Sequence, residues 1–196
     1  KLEPSTILEV DENLKVSKYK YYDLKKQLYK KLSKNNDIQV NKDTIDDAHK
    51  LLRSKIKKML SNDFKVGCFL SGGIDSALIT SIAQTLSKKK LETFTLRTSS
   101  KNFDESDNEK KISQLLGTKH NTYTVKKNDI LTYVNNMHKY YSEPFGDSSQ
   151  IPSFLLARFA KKKIKIVLTG DGGDEISGGY NRYLYFKQYR NLFSKN

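Results

Sequence analysis

Two glycine-rich segments hold the residue types best suited to chemistry. The first is Ser71-Gly72-Gly73-Ile74-Asp75-Ser76, set between an apolar run and a stretch of helical pattern. Paired glycines let the backbone curl so that successive N–H groups face one concavity at a helix N-terminus, where dipole and donors together favour an anion. Phosphate is the natural ligand of such a loop. The hydroxyls of Ser71 and Ser76 add donors, while Asp75 would repel a bare phosphate and makes sense there only with a cation such as Mg²⁺ between them. The second segment is Thr169-Gly170-Asp171-Gly172-Gly173-Asp174-Glu175, followed by Ile176-Ser177-Gly178-Gly179-Tyr180. Ordering so many glycines costs backbone entropy, so acids placed among them fit a metal–phosphate site better than a turn kept for stability alone.

Both loops need a scaffold that brings them together. Lys65–Leu70 reads as an apolar strand leading into the first loop, and Ile74–Leu86 as the helix after it. A second strand is expected over Leu91–Leu96, then a helix over about Glu105–Leu116 closed by Gly117 as C-cap. A third strand near His120–Val125, helical segments over Asp129–Tyr141 and Ser149–Lys161, and a fourth strand over Ile164–Leu168 follow. Strands alternating with helices predict an α/β fold with a parallel, doubly wound sheet, whose ligands sit beyond the carboxyl ends of the strands. If the first and fourth strands are neighbours, Asp75 and Asp174 meet at one edge and can share a Mg²⁺.

Upstream, Ile45, Ala48, Leu51, Leu52, Ile56, Met59 and Leu60 recur at helical spacing, with Asp43 or Thr44 available as N-cap. Residues 1–24 alternate apolar and polar positions around Asp11-Glu12-Asn13, which predicts a hairpin or an extended connector. Lys25–Asn41 carries no strong period and reads as loop or partly disordered chain.

The length of 196 residues suits one main domain with a short appendage. No apolar run reaches membrane-spanning length and no signal-peptide pattern opens the chain, so a soluble, cytoplasmic protein is expected. Cys68, the single cysteine, sits in the apolar run VGCFL and reads as a small buried hydrophobe. A net charge of +14 raises nucleic acid as a partner, but lysine dominates the basic count and is scattered, which fits a solvated surface. Lys1 is not an initiator methionine, and NRYLYFKQYRNLFSKN still has a helical pattern where the sequence stops, so a piece of a longer polypeptide is expected.

The first loop is not a Walker A, since the spacing is short and no Lys-Ser/Thr pair closes it. SGGIDS matches instead the PP-loop of ATP-pyrophosphatases. Together with GDGGDEISGGYNRY, and with TFTLRT, FDES, LGTKH and EPFGDSSQIP between the loops, it makes the region from Val66 to Tyr183 resemble the synthetase domain of glutamine-dependent asparagine synthetases. KLEPSTILEV…YYDL resembles the end of that family's glutaminase domain and its connector, with Ser5 and Tyr22 where the family usually has Gly and Trp. The resemblance implies a glutaminase-like end and connector over 1–40 and an ATP-pyrophosphatase domain over 41–196.

It also implies a chemistry. A small-molecule carboxylate, aspartate foremost, attacks the α-phosphorus of ATP, and ammonia from a glutaminase domain converts the acyl-adenylate to an amide. By matching position, Ser71, Gly72, Gly73, Asp75 and Ser76 would hold pyrophosphate and Mg²⁺, Leu70 and Leu96 would border the adenosine, and Thr169 and Gly170 would lie beneath it. Asp174 would be the second metal ligand, and Asp171 falls where many members carry a Glu near the acyl-adenylate. A homodimer is an assembly the resemblance leaves open. So are acceptors other than aspartate, including the uronic acids of surface sugars; a tRNA-modifying PP-loop enzyme is the remoter alternative. A scaffold without activity would be expected to have lost Asp75 or Asp174, and both are present.

The departures from the family pattern are local. Arg97 stands where the family commonly has a small residue, and Thr122 where an acid is frequent. His120 reads as structural, since the implied chemistry needs no imidazole. Glu143-Pro144-Phe145-Gly146-Asp147-Ser148-Ser149 fits either an acceptor pocket or a helix-capping loop. The family's nucleophilic cysteine would lie before Lys1 and its charge-stabilising lysine beyond the acidic loop, so the chain by itself is expected to complete no amide synthesis.

Overall fold

The structure is a computed structural model that describes residues 2–32, 40–60, 63–98, 108–143 and 146–193. The chain forms two compact units, Lys1–Asp47 and Ala48–Asn196.

In the first unit the expected hairpin is present. β1 (Thr6–Val10) pairs antiparallel with β2 (Val16–Lys20), and Thr6 lies opposite Lys20. Asp11 closes the turn, its Oδ1 accepting from the N–H groups of Asn13 and Lys15 at 2.9 Å each. The first part of the stretch expected as loop, from Lys25 to Leu32, is instead helical, and residues 33–39 lie outside the described residues. α1 runs Leu24–Leu32, started by Asp23, whose Oδ1 accepts from the Lys26 N–H at 3.0 Å. Leu24 and Leu28 stand one turn apart, a period that the lysines between them obscured. The next helix, α2 (Lys42–Met59), is capped by Asn41 rather than by Asp43 or Thr44, because Asn41 Oδ1 accepts from the Thr44 N–H at 2.9 Å.

The second unit is built on a parallel sheet of order β5-β4-β3-β6. Its strands are β3 (Val66–Phe69), β4 (Glu92–Thr98), β5 (Lys119–Val125) and β6 (Ile166–Leu168). The helices between and after them are α3 (Ile74–Leu86), α4 (Asn108–Leu116), α5 (Lys127–Asn136), α6 (Gln150–Ala160), α7 (Gly173–Ser177) and α8 (Asn181–Phe193). From β3 the chain moves outward through β4 to β5 and then returns to place β6 on the other flank of β3. Strand order therefore reverses between β3 and β6, as in a doubly wound sheet.

Alternation along the strands splits the core between the two faces. On one face Cys68 and Leu168 pack with Ile82 and Ala83 of α3 and Ile56 of α2. On the other, Phe94 packs with Ala160 and Ile164, backed by Phe69, Leu156 and Phe159. Cys68 is fully buried and burial pushes its thiol up to about 11, in keeping with a small core hydrophobe. Helices thus cover both faces, and the fold class is the expected α/β type.

Element ends differ from the sequence reading in particular ways. The last strand is shorter than Ile164–Leu168, because the Ile164 N–H is taken by the Ala160 carbonyl at 3.0 Å in the turn that ends α6. Instead of one helix over Asp129–Tyr141, α5 starts at Lys127 with Asp129 accepting from the Lys126 N–H at 2.8 Å, and a 3₁₀ turn takes over at Met137–Lys139. Gly117 closes α4 as expected, with φ of +68°. The FDES segment and the predicted helix start at Glu105 lie outside the described residues. Among the described residues no helix is long and apolar enough to cross a membrane.

Candidate functional site

The loops after β3 and β6 meet because their strands are neighbours. Gly67 lies opposite Val167 and Cys68 opposite Leu168, so Ser71 and Thr169 leave the sheet side by side. They border an open cleft of about 1620 Å³ at the carboxyl ends of β3, β4 and β6.

The first loop is organised by its own serines. The hydroxyls of Ser71 and Ser76 lie 3.0 Å apart, Ser76 Oγ donates to the Gly73 carbonyl at 3.1 Å, and Ser71 Oγ accepts from the Gly73 N–H at 3.3 Å. Ser76 is buried and Ser71 is exposed to the cleft. Gly72 has a φ of +86°, left-handed backbone that L side chains rarely adopt, and the turn there aims the chain into α3. No side chain caps α3 at Gly73, which leaves its first turn suited to an anion.

The second loop packs against the first through its glycines. A Cβ on Gly170 would lie 2.8 Å from the Ser76 amide nitrogen, and one on Gly173 would lie 2.6 Å from Asp75 Oδ2. The Asp75 carboxyl is therefore held against the backbone of the residue that precedes Asp174. Asp171 is exposed, and its N–H reaches Thr169 Oγ1 at 3.4 Å. Among the described residues no group of three or more His, Cys, Asp or Glu could hold a metal unaided. The donor set of Asp75 and Asp174 still fits Mg²⁺, which commonly takes one or two carboxylates and completes its shell with phosphates and water.

The hydrophobic part of the cleft comes from the strand ends. Leu70 is buried, donates its N–H to the Phe94 carbonyl at 3.0 Å, and its own carbonyl accepts from Thr95 Oγ1. Leu70, Leu96, Thr169 and Gly170 all line the cleft, as do Ser71, Gly73, Asp75, Ser76, Asp171 and Asp174. Of the residues of the two loops and strand ends assigned to nucleotide and metal, Gly72 is not at the cleft wall. It faces α4 instead, where a Cβ would meet Asn108 Cβ at 3.4 Å and the Glu109 N–H at 3.5 Å.

Other lining residues were not legible in the sequence. Pro152, Ser153 and Leu156 come from α6, whose pattern reads only as core helix. Arg97 and Glu109 form an ion pair at 3.5 Å, with Glu109 almost completely buried. Nothing in their spacing links them; only the adjacency of β4 and α4 does. At the acidic end the Tyr180 hydroxyl donates to Glu175 Oε1 at 2.8 Å, which holds the Glu175 carboxyl below its usual range and pushes the phenol up. The Arg182 guanidinium lies 4.1 Å from the Tyr180 ring centre.

The remaining sequence candidates fall away from the cleft. His120 bonds Thr93 Oγ1 through Nδ1 at 3.1 Å, and burial lowers its pKa from 6.5. Asp147 caps α6, accepting from the Ser149 N–H at 2.8 Å, and none of the described residues among 143–149 lines the cleft. The capping reading holds for that part of the segment; Pro144 and Phe145 lie outside the described residues.

A putative glutamine-hydrolysing asparagine synthetase 2 of Methanocaldococcus jannaschii is 34% identical over 163 residues, covering 83% of this chain and 32% of its own length. Asparagine synthetase 1 of Bacillus subtilis is 29% identical over 147 residues, covering 74% of this chain and 23% of its own. The chain thus spans about a third or less of these relatives. Among solved structures, NMN synthetase from Francisella tularensis matches at 17% identity with a TM-score of 0.47, over 69% of this chain and 60% of that one. The asparagine synthase family model matches residues 47–195, a span that contains the sheet, both loops and the cleft between them, and the chain belongs to that family.

Proposed function

We propose that the cleft binds MgATP and serves an amide-forming ligase, which adenylates a carboxylate for attack by ammonia and releases AMP and pyrophosphate. One observation carries this reading: the Asp75 carboxyl of the first loop packs against Gly173 of the second, beside an uncapped helix N-terminus, and Asp75, Asp171 and Asp174 all line the same cleft. Phosphoryl and adenylyl transfer rest on positioning and charge stabilisation, and this arrangement supplies both. The amides at Gly72 and Gly73 and the hydroxyls of Ser71 and Ser76 would bind the β- and γ-phosphates. Leu70 and Leu96 would hold the adenine, with Thr169 and Gly170 under the ribose. Mg²⁺ held by Asp75 and Asp174 would neutralise pyrophosphate as it leaves. Asp171, one bond shorter than a glutamate, would face the acceptor carboxylate near the α-phosphate.

Aspartate is the acceptor we infer, since the relatives are named as asparagine synthetases. Ammonia would come from a glutaminase domain, whose final strands and connector we assign to residues 1–40, with the ATP-pyrophosphatase domain over 41–196. ATP–pyrophosphate exchange in the full-length enzyme, run with aspartate, uronic acids and other carboxylates and without ammonia, which would consume the acyl-adenylate, tests the reading. Exchange with aspartate alone supports it. Exchange that responds to a uronic acid but not aspartate reassigns the acceptor, and MgATP failing to bind at all overturns the site.

A further inference from the structure

The charge of the cleft runs opposite to that of the chain. Among the described residues lining it, Asp75, Glu109, Asp171, Asp174 and Glu175 are acidic and Arg97 alone is basic, although the net charge is +14. A nucleoside triphosphate entering such a space brings several more negative charges. Metal at Asp75 and Asp174 would offset part of this repulsion. A fixed cation on the opposite flank of the first loop would offset more.

Arg97 occupies that flank. It follows Leu96 near the end of β4, and register puts its side chain on the sheet face that carries α3 and α4. Glu109 Oε1 lies 3.5 Å from its Nε. A carboxylate as buried as Glu109, at 2% exposure, is costly without a cation, so the pair fixes the guanidinium in place. The same carboxylate touches the phosphate loop's surroundings: a Cβ on Gly72 would lie 3.7 Å from Glu109 Oε2. Arg97, Glu109 and Gly72 thus share one neighbourhood at the cleft's edge. A guanidinium presents a planar fork of donors matched to phosphate oxygens, and here its Nε stands 3.5 Å from Glu109 Oε1 while the side chain, about a third exposed, lines the cleft.

We propose that Arg97 is a phosphate-binding residue of the cleft, held by Glu109 as a positioning residue, and that it sets the preference for a nucleoside polyphosphate over the nucleoside. This rests on the reading that the cleft binds MgATP. A purely structural pair would serve only to neutralise Glu109 and would leave ligand selectivity untouched.

Titration calorimetry of MgATP and of adenosine against the 196-residue chain separates these cases. Arg97→Met should weaken MgATP by about tenfold or more, the scale of a charge-assisted hydrogen bond, and leave adenosine unchanged. Arg97→Lys should fall between, since an ammonium restores charge without the fork. Because Arg97→Met leaves Glu109 buried and unpaired, the double variant Arg97→Met/Glu109→Met keeps the test sound if the single one unfolds. It should retain the melting temperature and show the same selective loss. MgATP affinity kept in either variant, or adenosine weakened as much as MgATP, overturns the proposal. A parent chain that binds no MgATP overturns the nucleotide reading itself and this proposal with it.

Discussion

Asp75 has little freedom to serve anywhere but the cleft. Gly173 lies against its carboxyl group, and a Cβ on Gly170 would stand 3.1 Å from its own Cβ. Such a fixed carboxylate suits a metal that tolerates little deviation in geometry. In a full-length enzyme that carries the glutaminase domain, Asp75→Asn or Asp174→Asn should therefore lower carboxylate-dependent pyrophosphate release by orders of magnitude, because an amide ligates Mg²⁺ far more weakly. Near-normal release in either variant would show that these carboxylates hold no metal. His120 supports a different expectation. Burial, the main cause, lowers its pKa below 6.5, with Arg97 and Lys110 lowering it further and Glu109 opposing them. The unfolded chain then takes up a proton near that value while the folded chain does so only at lower pH. This contribution to stability is complete above about pH 6.5 and is lost progressively as pH falls below it. Urea unfolding across roughly pH 5 to 7.5 should show that decline, and His120→Asn should flatten it.

At the scale of elements, β3 is the strand on which the site depends, since both loops are brought together by its pairing with β6. Gly67 lets β3 pack closely against β4 and against the segment that leads into β6. A Cβ there would lie 2.6 Å from the Glu92 carbonyl oxygen of β4 and 2.7 Å from Ile164 Cδ1. Neither the carbonyl nor the packed isoleucine can withdraw far. Gly67→Ala should destabilise the second unit by about 1–3 kcal/mol, the usual range for overpacking. A urea midpoint unchanged from the parent would mean that the sheet relaxes more readily than this packing indicates. The loops themselves are ordered by short local bonds, as in Ser71 with Ser76 and Tyr180 with Glu175.

For the whole molecule, ligand and fold are coupled. The cleft draws on the ends of β3, β4 and β6 and on α6, so a bound nucleotide would tie together segments far apart in sequence. A ligand that binds only the folded state stabilises it by mass action, about 2.7 kcal/mol at a hundredfold excess over Kd. MgATP should accordingly raise the melting temperature by several degrees, a scan that differential fluorimetry can follow. Asp75→Asn should abolish most of that rise while melting close to the parent without nucleotide. An unchanged melting temperature for the parent under saturating MgATP would contradict nucleotide binding. The net charge of +14 belongs to this scale too: it draws polyanions to the surface at low salt, and that attraction should fade as salt rises.

The order of strands and helices in the second unit, the two glycine-rich loops and the acids within them are legible in the amino-acid sequence. Those features are local: a strand's alternation, a helix's period and a glycine run each announce themselves within a few residues. The sequence also marks out Leu70, Ser71, Gly73, Asp75, Ser76, Leu96, Thr169, Gly170, Asp171 and Asp174, but not Pro152, Ser153, Leu156 or Glu109, which line the same cleft. The local pattern fails at α1, whose Leu24 and Leu28 lie among lysines, and at the start of α2, where Asn41 rather than Asp43 or Thr44 is the cap and takes the Thr44 amide. Only the tertiary structure decided that β6 lies beside β3, because strand order is set by which faces bury against which helices and not by any short pattern. The same holds for Arg97 and Glu109, which stand in separate elements and become a pair only when α4 packs beside the end of β4. A buried charge finds its partner through packing, and packing is a property of the folded chain.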